Sequence, residues 1–412
     1  MKMPSNNQQI FVGTILGIAL GSFLNSSGLE SPFAKTTLYF ADLIGNGIFL
    51  NLLKMVIIPL IFASIAVGIA NLRGHAQIKK VWTLTLFYFF ITTSLAIILG
   101  LATVHTFQPG KGLNLAMFSQ NVDQSHLQES FTLAEFGKKF INGLFLNPFA
   151  AMAQGQILPT IIFAIFLGIA LVLVGDRRGK GILNLLNELL ELIMMMVQWI
   201  MKILPLGLMA LLTLLTAQQD HHLLFAMSKF ITVVIAATLF HGVVVLPLIL
   251  FCITKITPWH FFYSFKEALL TAFSTSSSSA TLPISIECVE NNLKVNKDVS
   301  RFVLPLGATI NMDGTALYEA IAAIFVANLA GIELNLTQQL IVFFTAMIAS
   351  VGAPGIPSAG MVTMMMVLEA VGLPISAVAI LIPIDRLLDT FRTAVNVEGD
   401  AIGSCIVHHF TK

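Results

Sequence analysis

The sequence predicts an all-α polytopic membrane protein, and three observations support that prediction. First, 56% of the 412 residues are hydrophobic and 10% are charged, whereas soluble domains usually carry about 25% charged residues. Second, apolar runs of about 20 residues, the length that a membrane-spanning helix needs, recur along the chain. Third, two apolar segments near the carboxyl terminus are interrupted in the middle. The formal net charge of +1 argues against a nucleic-acid partner.

The long apolar runs are the candidate membrane spans. They lie near 9–27, 38–72, 82–104, 140–175, 185–215 and 223–253. Runs longer than one span requires are expected to tilt, to kink at a proline or to break into pieces. Basic residues between the runs cluster on one side of the membrane, which predicts cytoplasmic amino and carboxyl termini. These clusters are Arg73, Lys79 and Lys80; Arg177, Arg178 and Lys180; and Lys294, Lys297 and Arg301.

Two later segments are apolar at both ends but polar or glycine-rich between. The segment 265–290 is interrupted by serine and threonine at 274–279, and 336–372 by a glycine- and proline-rich stretch at 350–360. Each half has about 10–15 residues, too few to cross a membrane as a helix. Because irregular backbone at membrane depth has to be buried in protein or line a cavity, we expect two re-entrant helical hairpins. Paired breaks of this kind indicate a transporter substrate site.

Each broken segment is followed by a helix with polar groups in its apolar run. In the first, Gly314 beside Asn311 and Asp313 suggests an unwound turn whose free carbonyls can bind a cation. In the second, a spacing of three or four places the polar residues on one helical face. They are Asp385, Asp389, Arg392, Thr393, Asn396 and Asp400. A charge at the centre of a membrane helix costs about 2.5–3.5 kcal/mol, so these groups are expected to meet one another, ions or a substrate. For Asp385 and Arg386, pairing at the membrane surface is an alternative.

Four motifs in this order resemble the dicarboxylate/amino acid:cation symporter family, which includes archaeal aspartate transporters and mammalian excitatory amino acid transporters. They are the serine-rich motif at 276–283, the motif at 311–315, the glycine–proline tip of the second hairpin and the motif at 389–400. The resemblance covers nearly the whole chain. It implies eight transmembrane helices plus two re-entrant helical hairpins, inverted repeats, an elevator-type mechanism and a homotrimer in the cell (inner or plasma) membrane.

The resemblance also implies a division into a trimer scaffold and a moving transport domain. Residues 1–80 would form scaffold helices 1 and 2, and 81–106 would form transport-domain helix 3. Residues 107–216 would form an external loop and scaffold helices 4 and 5. Residues 217–412 would complete the transport domain with helix 6, hairpin 1, helix 7, hairpin 2 and helix 8.

Substrate contacts are implied residue by residue. Arg392 corresponds to the arginine that holds the side-chain carboxylate of the substrate, and its planar fork suits a bidentate carboxylate. Asp389 corresponds to the acid that receives the amino group. Members for neutral amino acids lack this arginine and dicarboxylate carriers commonly lack this aspartate, so aspartate or glutamate is the expected substrate. The other implied contacts are Ser276, Ser277, Ser278, Thr315, Gly355, Thr393 and Asn396.

Sodium is the implied coupling ion, and no other cofactor is expected. Hard oxygen ligands suit an alkali cation, and proton-coupled relatives often carry asparagine at the position of Asp400. The residues that resemble one sodium site are Gly307, Asn311, Asn396 and Asp400. Those of a second, built mostly from backbone carbonyls, are Thr309, Ser350, Val351 and Ala353. Those of a third are Phe89, Thr92, Thr93, Asn311 and Asp313.

The chain departs from the family pattern at three positions. Ser276 and Thr390 stand where archaeal and mammalian members respectively carry an arginine, and Arg386 is a candidate to compensate. Glu319 stands where archaeal members have glutamine. Because mammalian members use a glutamate there to carry a proton, Glu319 is a candidate proton-coupling residue. Its alternative role is a structural carboxylate held by Arg386.

Other functions remain open at this point. A proton-coupled glutamate or C4-dicarboxylate carrier is the main alternative to sodium-coupled import of an acidic amino acid. An anion channel is less favoured, since a channel does not need the substrate pair Asp389 and Arg392. An intramembrane enzyme is disfavoured because the sequence has no His–Ser or metal-protease arrangement.

Overall fold

The computed structural model describes residues 6–70, 79–113, 145–218, 221–352 and 359–411. Within these ranges every regular element is a helix and none is a strand, which confirms the all-α prediction. Four stretches of the described residues are long and apolar enough to cross a membrane by length and composition. They are Lys80–Phe107, Arg178–Ile200, Phe225–Thr254 and Lys297–Leu329.

Seven α-helices are described before residue 219. They are α1 (Asn6–Ser27), α2 (Pro32–Asp42), α3 (Asn51–Ala70), α4 (Lys79–Phe107), α5 (Pro148–Ala153), α6 (Ile157–Val174) and α7 (Asp176–Gln218). A π-helical stretch, Leu43–Leu50, joins α2 to α3. Helix α7 runs for 43 residues and packs against α1 and α3. The α1 contact depends on glycine: a Cβ built at Gly13 would lie 2.5 Å from Pro205 O, and one at Gly17 would lie 2.6 Å from Met209 O.

Nine α-helices are described after residue 220. They are α8 (His221–Phe240), α9 (Leu246–Thr254), α10 (Pro258–Thr275), α11 (Ser278–Glu287), α12 (Lys297–Ile310), α13 (Asp313–Leu329), α14 (Leu336–Gly352), α15 (Ala359–Ala370) and α16 (Val378–Thr411). Between α8 and α9 the chain continues as a π-helical segment, His241–Val245. Helix α16 contacts α4 and each of α8 to α13 and α15, so it lies at the centre of this group.

The first expected break is present. Helix α10 ends at Thr275 and α11 begins at Ser278, and the two helices pack against each other as a hairpin. The second break was expected at 350–360, but residues at both ends of that range are helical, because α14 continues to Gly352 and α15 begins at Ala359. The tip between them, including Ala353 and Gly355, lies outside the described residues.

An ion pair links the base of the first hairpin to α12. Arg301 Nε donates to Glu290 Oε1 (3.0 Å), and the Ser300 hydroxyl donates to the same oxygen (2.9 Å). The hydrogen bond from Arg301 lowers the pKa of the Glu290 carboxyl below its ordinary value. Because the Arg301 side chain is exposed, this pair orients the hairpin base more than it stabilises the fold.

Candidate functional site

Arg392 lies at the centre of the candidate substrate site. Its side chain is fully buried, and its guanidinium carbon lies 4.1 Å from the centre of the Tyr318 ring. Nη2 donates to Asp385 Oδ1 (2.8 Å) and to Asp389 Oδ1 (2.9 Å). Nε and Nη1 have no hydrogen-bond partner among the described residues. Two donors of a buried guanidinium are therefore available to a carboxylate.

Asp385 is part of this cluster rather than of the membrane surface. It is fully buried, so the alternative in which it pairs with Arg386 at the surface is wrong. The spacing of seven residues, two helical turns, places its carboxylate on the same face of α16 as Arg392. Asp385 thus neutralises the buried guanidinium and orients it. Asp389, the expected partner of the substrate amino group, bonds to Arg392 as well.

The tip of the first hairpin reaches the same region of α16. Ser276 adopts a left-handed conformation (φ 52°), which is uncommon for a residue other than glycine and occurs often at functional sites. Its buried hydroxyl has no partner among the described residues. Ser277 caps α11, accepting from Ala280 N (3.2 Å). Phe273 packs edge-on against Phe391 of α16, with ring centroids 5.1 Å apart. Ser276, Ser277 and Ser278 are all buried there.

Asn396 joins α16 to the start of α13. Its Oδ1 accepts from Gly314 N (2.8 Å), and its Nδ2 donates to Thr315 Oγ1 (3.2 Å). The unwound turn is present, since α12 ends at Ile310 and α13 begins at Asp313. Gly314 itself is helical, contrary to the interpretation that it unwinds the chain. Its role is close packing, because a Cβ there would lie 2.7 Å from the main-chain oxygen of Arg392.

The first expected sodium set comes together around Asp400. Asn311 Nδ2 donates to Asp400 Oδ1 (3.0 Å), while Asn311 Oδ1 is buried without a partner among the described residues. Gly307 lies directly against the Asp400 carboxylate. Buried carboxylate and amide oxygens form a donor set that fits an alkali cation. The Asn396 side chain, however, is already bonded to α13.

The third expected set is only partly assembled. Thr93 Oγ1 donates to Asp313 Oδ1 (2.7 Å), so those two side chains meet. The Thr92 hydroxyl instead donates within its own helix, to the carbonyls of Tyr88 (3.2 Å) and Phe89 (3.3 Å). Asp313 is close to Asn311, since a Cβ built at Gly399 would lie 3.6 Å from Asp313 Oδ2 and 3.0 Å from Asn311 Nδ2.

The second expected set lies where α12 contacts α14. The Thr309 hydroxyl donates to Leu306 O (3.0 Å), and the Ser350 hydroxyl donates to Met347 O (2.7 Å). Both hydroxyls therefore bond within their own helices. Val351 is half-buried beside Ser350, and Ala353 lies outside the described residues.

Glu319 is fully buried in α13. Neither oxygen of its carboxyl group has a hydrogen-bond partner among the described residues, and the Thr363 hydroxyl donates to Gly360 O (3.2 Å). Arg386 forms no ion pair with Glu319 within the described residues, so the alternative of a carboxylate held by Arg386 is not supported. Thr393, the next residue of α16 after Arg392, is buried as well.

Sequence reasoning missed three polar residues that border the site. His241 is fully buried, and its Nε2 lies 3.3 Å from Asp313 Oδ2. The Tyr88 hydroxyl donates to Gly399 O (3.1 Å). Glu398 is buried in α16 beside these groups. The available signal was their position inside apolar runs, where an ionisable residue is itself a functional hint.

Comparisons with known proteins identify the family of this chain. The sequence profile of the sodium:dicarboxylate symporter family matches residues 7–410. The chain is 36% identical to an excitatory amino acid transporter of Caenorhabditis elegans, over 98% of this chain and 88% of the relative. It is 35% identical to human excitatory amino acid transporter 3, over 97% of this chain and 84% of the relative. It is 33% identical to the proton/sodium-glutamate symport protein of Geobacillus stearothermophilus, over 97% of this chain and 93% of the relative. The chain therefore belongs to the sodium:dicarboxylate symporter family, which is a family of transporters.

Proposed function

We propose that this protein is a secondary active symporter that imports aspartate or glutamate together with sodium ions. The observation that carries the proposal is the buried Arg392 guanidinium, whose Nε and Nη1 have no partner among the described residues. It lies where the tip of the first hairpin, the start of α13 and the middle of α16 meet. A second carboxylate on the substrate would bond to these donors, and a bidentate arrangement would pair Nη1 or Nε with the Nη2 hydrogen that now bonds to Asp389.

The remaining parts of an acidic amino acid also have matching groups. Asp389 would receive the substrate amino group, exchanging its bond to Arg392 for one to the ligand. Asp385 would keep its hydrogen bond from Arg392 and hold the guanidinium group in place. Helix α11 begins at Ser278, and the positive end of its dipole favours the α-carboxylate. Thr315 would contribute a hydroxyl from α13.

Buried charge argues for coupling to cations. Among the described residues six carboxyl groups are buried, whereas Arg392 is the only buried lysine or arginine. Adding an anionic substrate to this environment is unfavourable unless positive charge enters with it, because buried charges need partners. Sodium ions at Asp313 and Asp400 would supply that charge. Cation and substrate binding would therefore be coupled thermodynamically.

The transport mechanism that we propose is an elevator motion within a homotrimer, in the cell (inner or plasma) membrane with both termini cytoplasmic. Eight transmembrane helices and two re-entrant hairpins would divide into a scaffold and a moving domain. The packing of α7 on α1 and α3, and of α16 on α4 and α8 to α13, supports two such groups, which would meet where α7 contacts α16. The moving domain would comprise 81–106 and 217–412.

Proton coupling is a second candidate, alone or together with sodium. It is favoured by Glu319, a carboxyl group fully buried in the helix that follows the unwound turn. A buried carboxyl group resists ionisation, so it would carry a proton when the site is loaded.

Uptake by proteoliposomes tests the proposal. Radiolabelled aspartate should accumulate against its gradient when sodium is higher outside, and unlabelled glutamate should compete. Arg392→Cys should abolish this uptake. The matched control is Arg178→Cys, which removes an exposed arginine from the start of α7 and should leave uptake intact. Equal uptake with and without a sodium gradient would exclude sodium coupling, and driving uptake with a proton gradient alone would favour the second candidate.

A further inference from the structure

Glu398 is a buried carboxyl group that neither the substrate contacts nor the three sodium sets use. It lies in α16 and is 4% exposed. Its Oε1 has no hydrogen-bond partner within the described part of the chain, and no described lysine or arginine forms an ion pair with it. Buried carboxyl groups are nearly always satisfied by a hydrogen bond, an ion or a metal. Glu398 therefore points to a ligand.

The surface that Glu398 faces belongs to the π-helical segment His241–Val245. A Cβ built at Gly242 would lie 3.0 Å from Glu398 Oε2 and 2.8 Å from Val395 Cγ2. Four residues further along both helices, a Cβ built at Gly399 would lie 3.8 Å from Leu246 Cδ1. The two helices therefore run parallel here, and the absence of a side chain at Gly242 leaves room for the carboxyl group.

Parallel packing determines where the carboxyl group points. A helical side chain leans toward the amino terminus of its own helix, and the Glu398 carboxyl accordingly reaches Gly242. Thr238 lies one turn earlier in α8, four residues before Gly242 and hence on the same face. Thr238 is fully buried, and its hydroxyl has no partner among the described residues.

The π-helical segment adds main-chain oxygen. Its hydrogen bonds run from residue i+5 to residue i, as Leu246 N does to His241 O. The change from the α-helical to the π-helical pattern leaves a carbonyl without a helical donor, and such segments are frequent at functional sites. Of the neighbouring polar groups, His241 Nε2 contacts Asp313 and the Tyr88 hydroxyl bonds to Gly399 O, while His241 Nδ1 has no hydrogen-bond partner among the described residues.

We propose that Glu398, Thr238 and the main chain of the π-helical segment bind a monovalent alkali cation between α8 and α16, separate from the cations at Asp313 and Asp400. Carboxylate, hydroxyl and carbonyl oxygens are hard ligands. One carboxylate balances a single positive charge, whereas calcium sites use several carboxylates. The inference rests on the proposed sodium coupling for the identity of the ion. It adds one coupling ion to the cycle.

Glu398→Gln tests this site, because the amide keeps the shape of the side chain and removes its charge. The measurements are the number of ²²Na⁺ ions bound per chain at saturating aspartate and the charge moved per aspartate in proteoliposomes. Both should fall by about one in the variant. Thr238→Val removes one neutral ligand, and the half-saturating sodium concentration should rise about fivefold. The matched control is Ser404→Ala, which removes another buried, unpartnered hydroxyl from a different face of α16 and should change neither quantity.

The outcomes separate this site from the proposed function. Equal ion counts and equal charge movement in the parent and in folded Glu398→Gln would overturn the site and leave sodium symport standing. If Glu398→Gln loses proton movement but still binds the same number of sodium ions per chain as the parent, the proposed cation site is overturned too. If Glu398→Gln does not fold, unchanged half-saturating sodium in Thr238→Val overturns the site. A parent chain that takes up aspartate without sodium defeats the proposed function itself.

Discussion

Substituting Gly307 with alanine is expected to displace the Asp400 carboxylate and to weaken sodium binding. A Cβ built at Gly307 overlaps the Asp400 Oδ1 and Cγ atoms. Because both residues lie inside packed helices, α12 and α16, the side chain of Asp400 has to rotate away. Its hydrogen bond from Asn311 Nδ2, 3.0 Å long, is lost in that rotation.

The magnitude follows from what the rotation removes. A hydrogen bond to a charged group contributes about 1.5–3 kcal/mol, and every 1.4 kcal/mol is about tenfold in an equilibrium constant. The half-saturating sodium concentration should therefore rise about 10- to 100-fold. Overpacking itself should lower the free energy of unfolding by about 1–3 kcal/mol.

The assay is the sodium dependence of aspartate binding to purified protein, with thermal unfolding measured in parallel. Gly68→Ala is the matched control, because it makes the same change inside helix α3 where a Cβ meets nothing within 4 Å. It should leave sodium dependence unchanged and stabilise the fold by about 0.5–1 kcal/mol.

A double-mutant comparison sharpens the result. Asp400→Asn alone should also weaken sodium binding, and in the Gly307→Ala background it should add little, because both changes act on one site. Normal sodium dependence in folded Gly307→Ala would refute the assignment of Asp400 as a cation ligand. Fully additive effects would show that the two residues act separately.

Three further substitutions give independent tests. Arg392→Cys should abolish aspartate uptake, allow serine or alanine to be taken up, and destabilise the fold by about 3–5 kcal/mol because the carboxylates of Asp385 and Asp389 lose their buried partner; unchanged aspartate affinity would contradict it. Glu319→Gln should abolish aspartate-driven acidification of the proteoliposome interior, and equal acidification in the native chain and the variant would remove Glu319 as the proton carrier. Gly17→Leu should force α1 away from α7 and lower the free energy of unfolding by about 1–3 kcal/mol, measured by thermal unfolding; an unchanged melting temperature would show that this glycine contact is dispensable.

Local patterns in the sequence were sufficient for the helical class, the position of the first hairpin tip and the polar face of α16. Each depends on neighbours within a few residues. Apolar runs favour helices because a membrane has no water to satisfy free backbone groups. The serine cluster marks the end of α10 because serine competes with the helical backbone and caps the next helix. Spacings of three and four align Asp389, Arg392 and Asn396.

Partner choice could not be predicted from the same patterns. Spacing placed Asp385 and Arg392 on one face of α16. Their 2.8 Å hydrogen bond also depends on the side chains of other helices that pack against this face, including the Tyr318 ring of α13. The close approach of His241 to Asp313 joins residues 72 positions apart. No local periodicity encodes such a contact, because it follows from how α8 packs against its neighbours.

The sequence by itself determined that this protein is a helical membrane protein whose motifs resemble a family of transporters, since composition, apolar run length and motif spacing are local properties of the chain. Tertiary structure alone decided which oxygens meet. It placed Gly307 against Asp400, made Gly314 a packing glycine rather than part of the unwound turn, and set Glu398 against Gly242. The physical reason is that long-range packing brings α8, α12, α13 and α16 within atomic contact, and ligand geometry exists only where those surfaces meet.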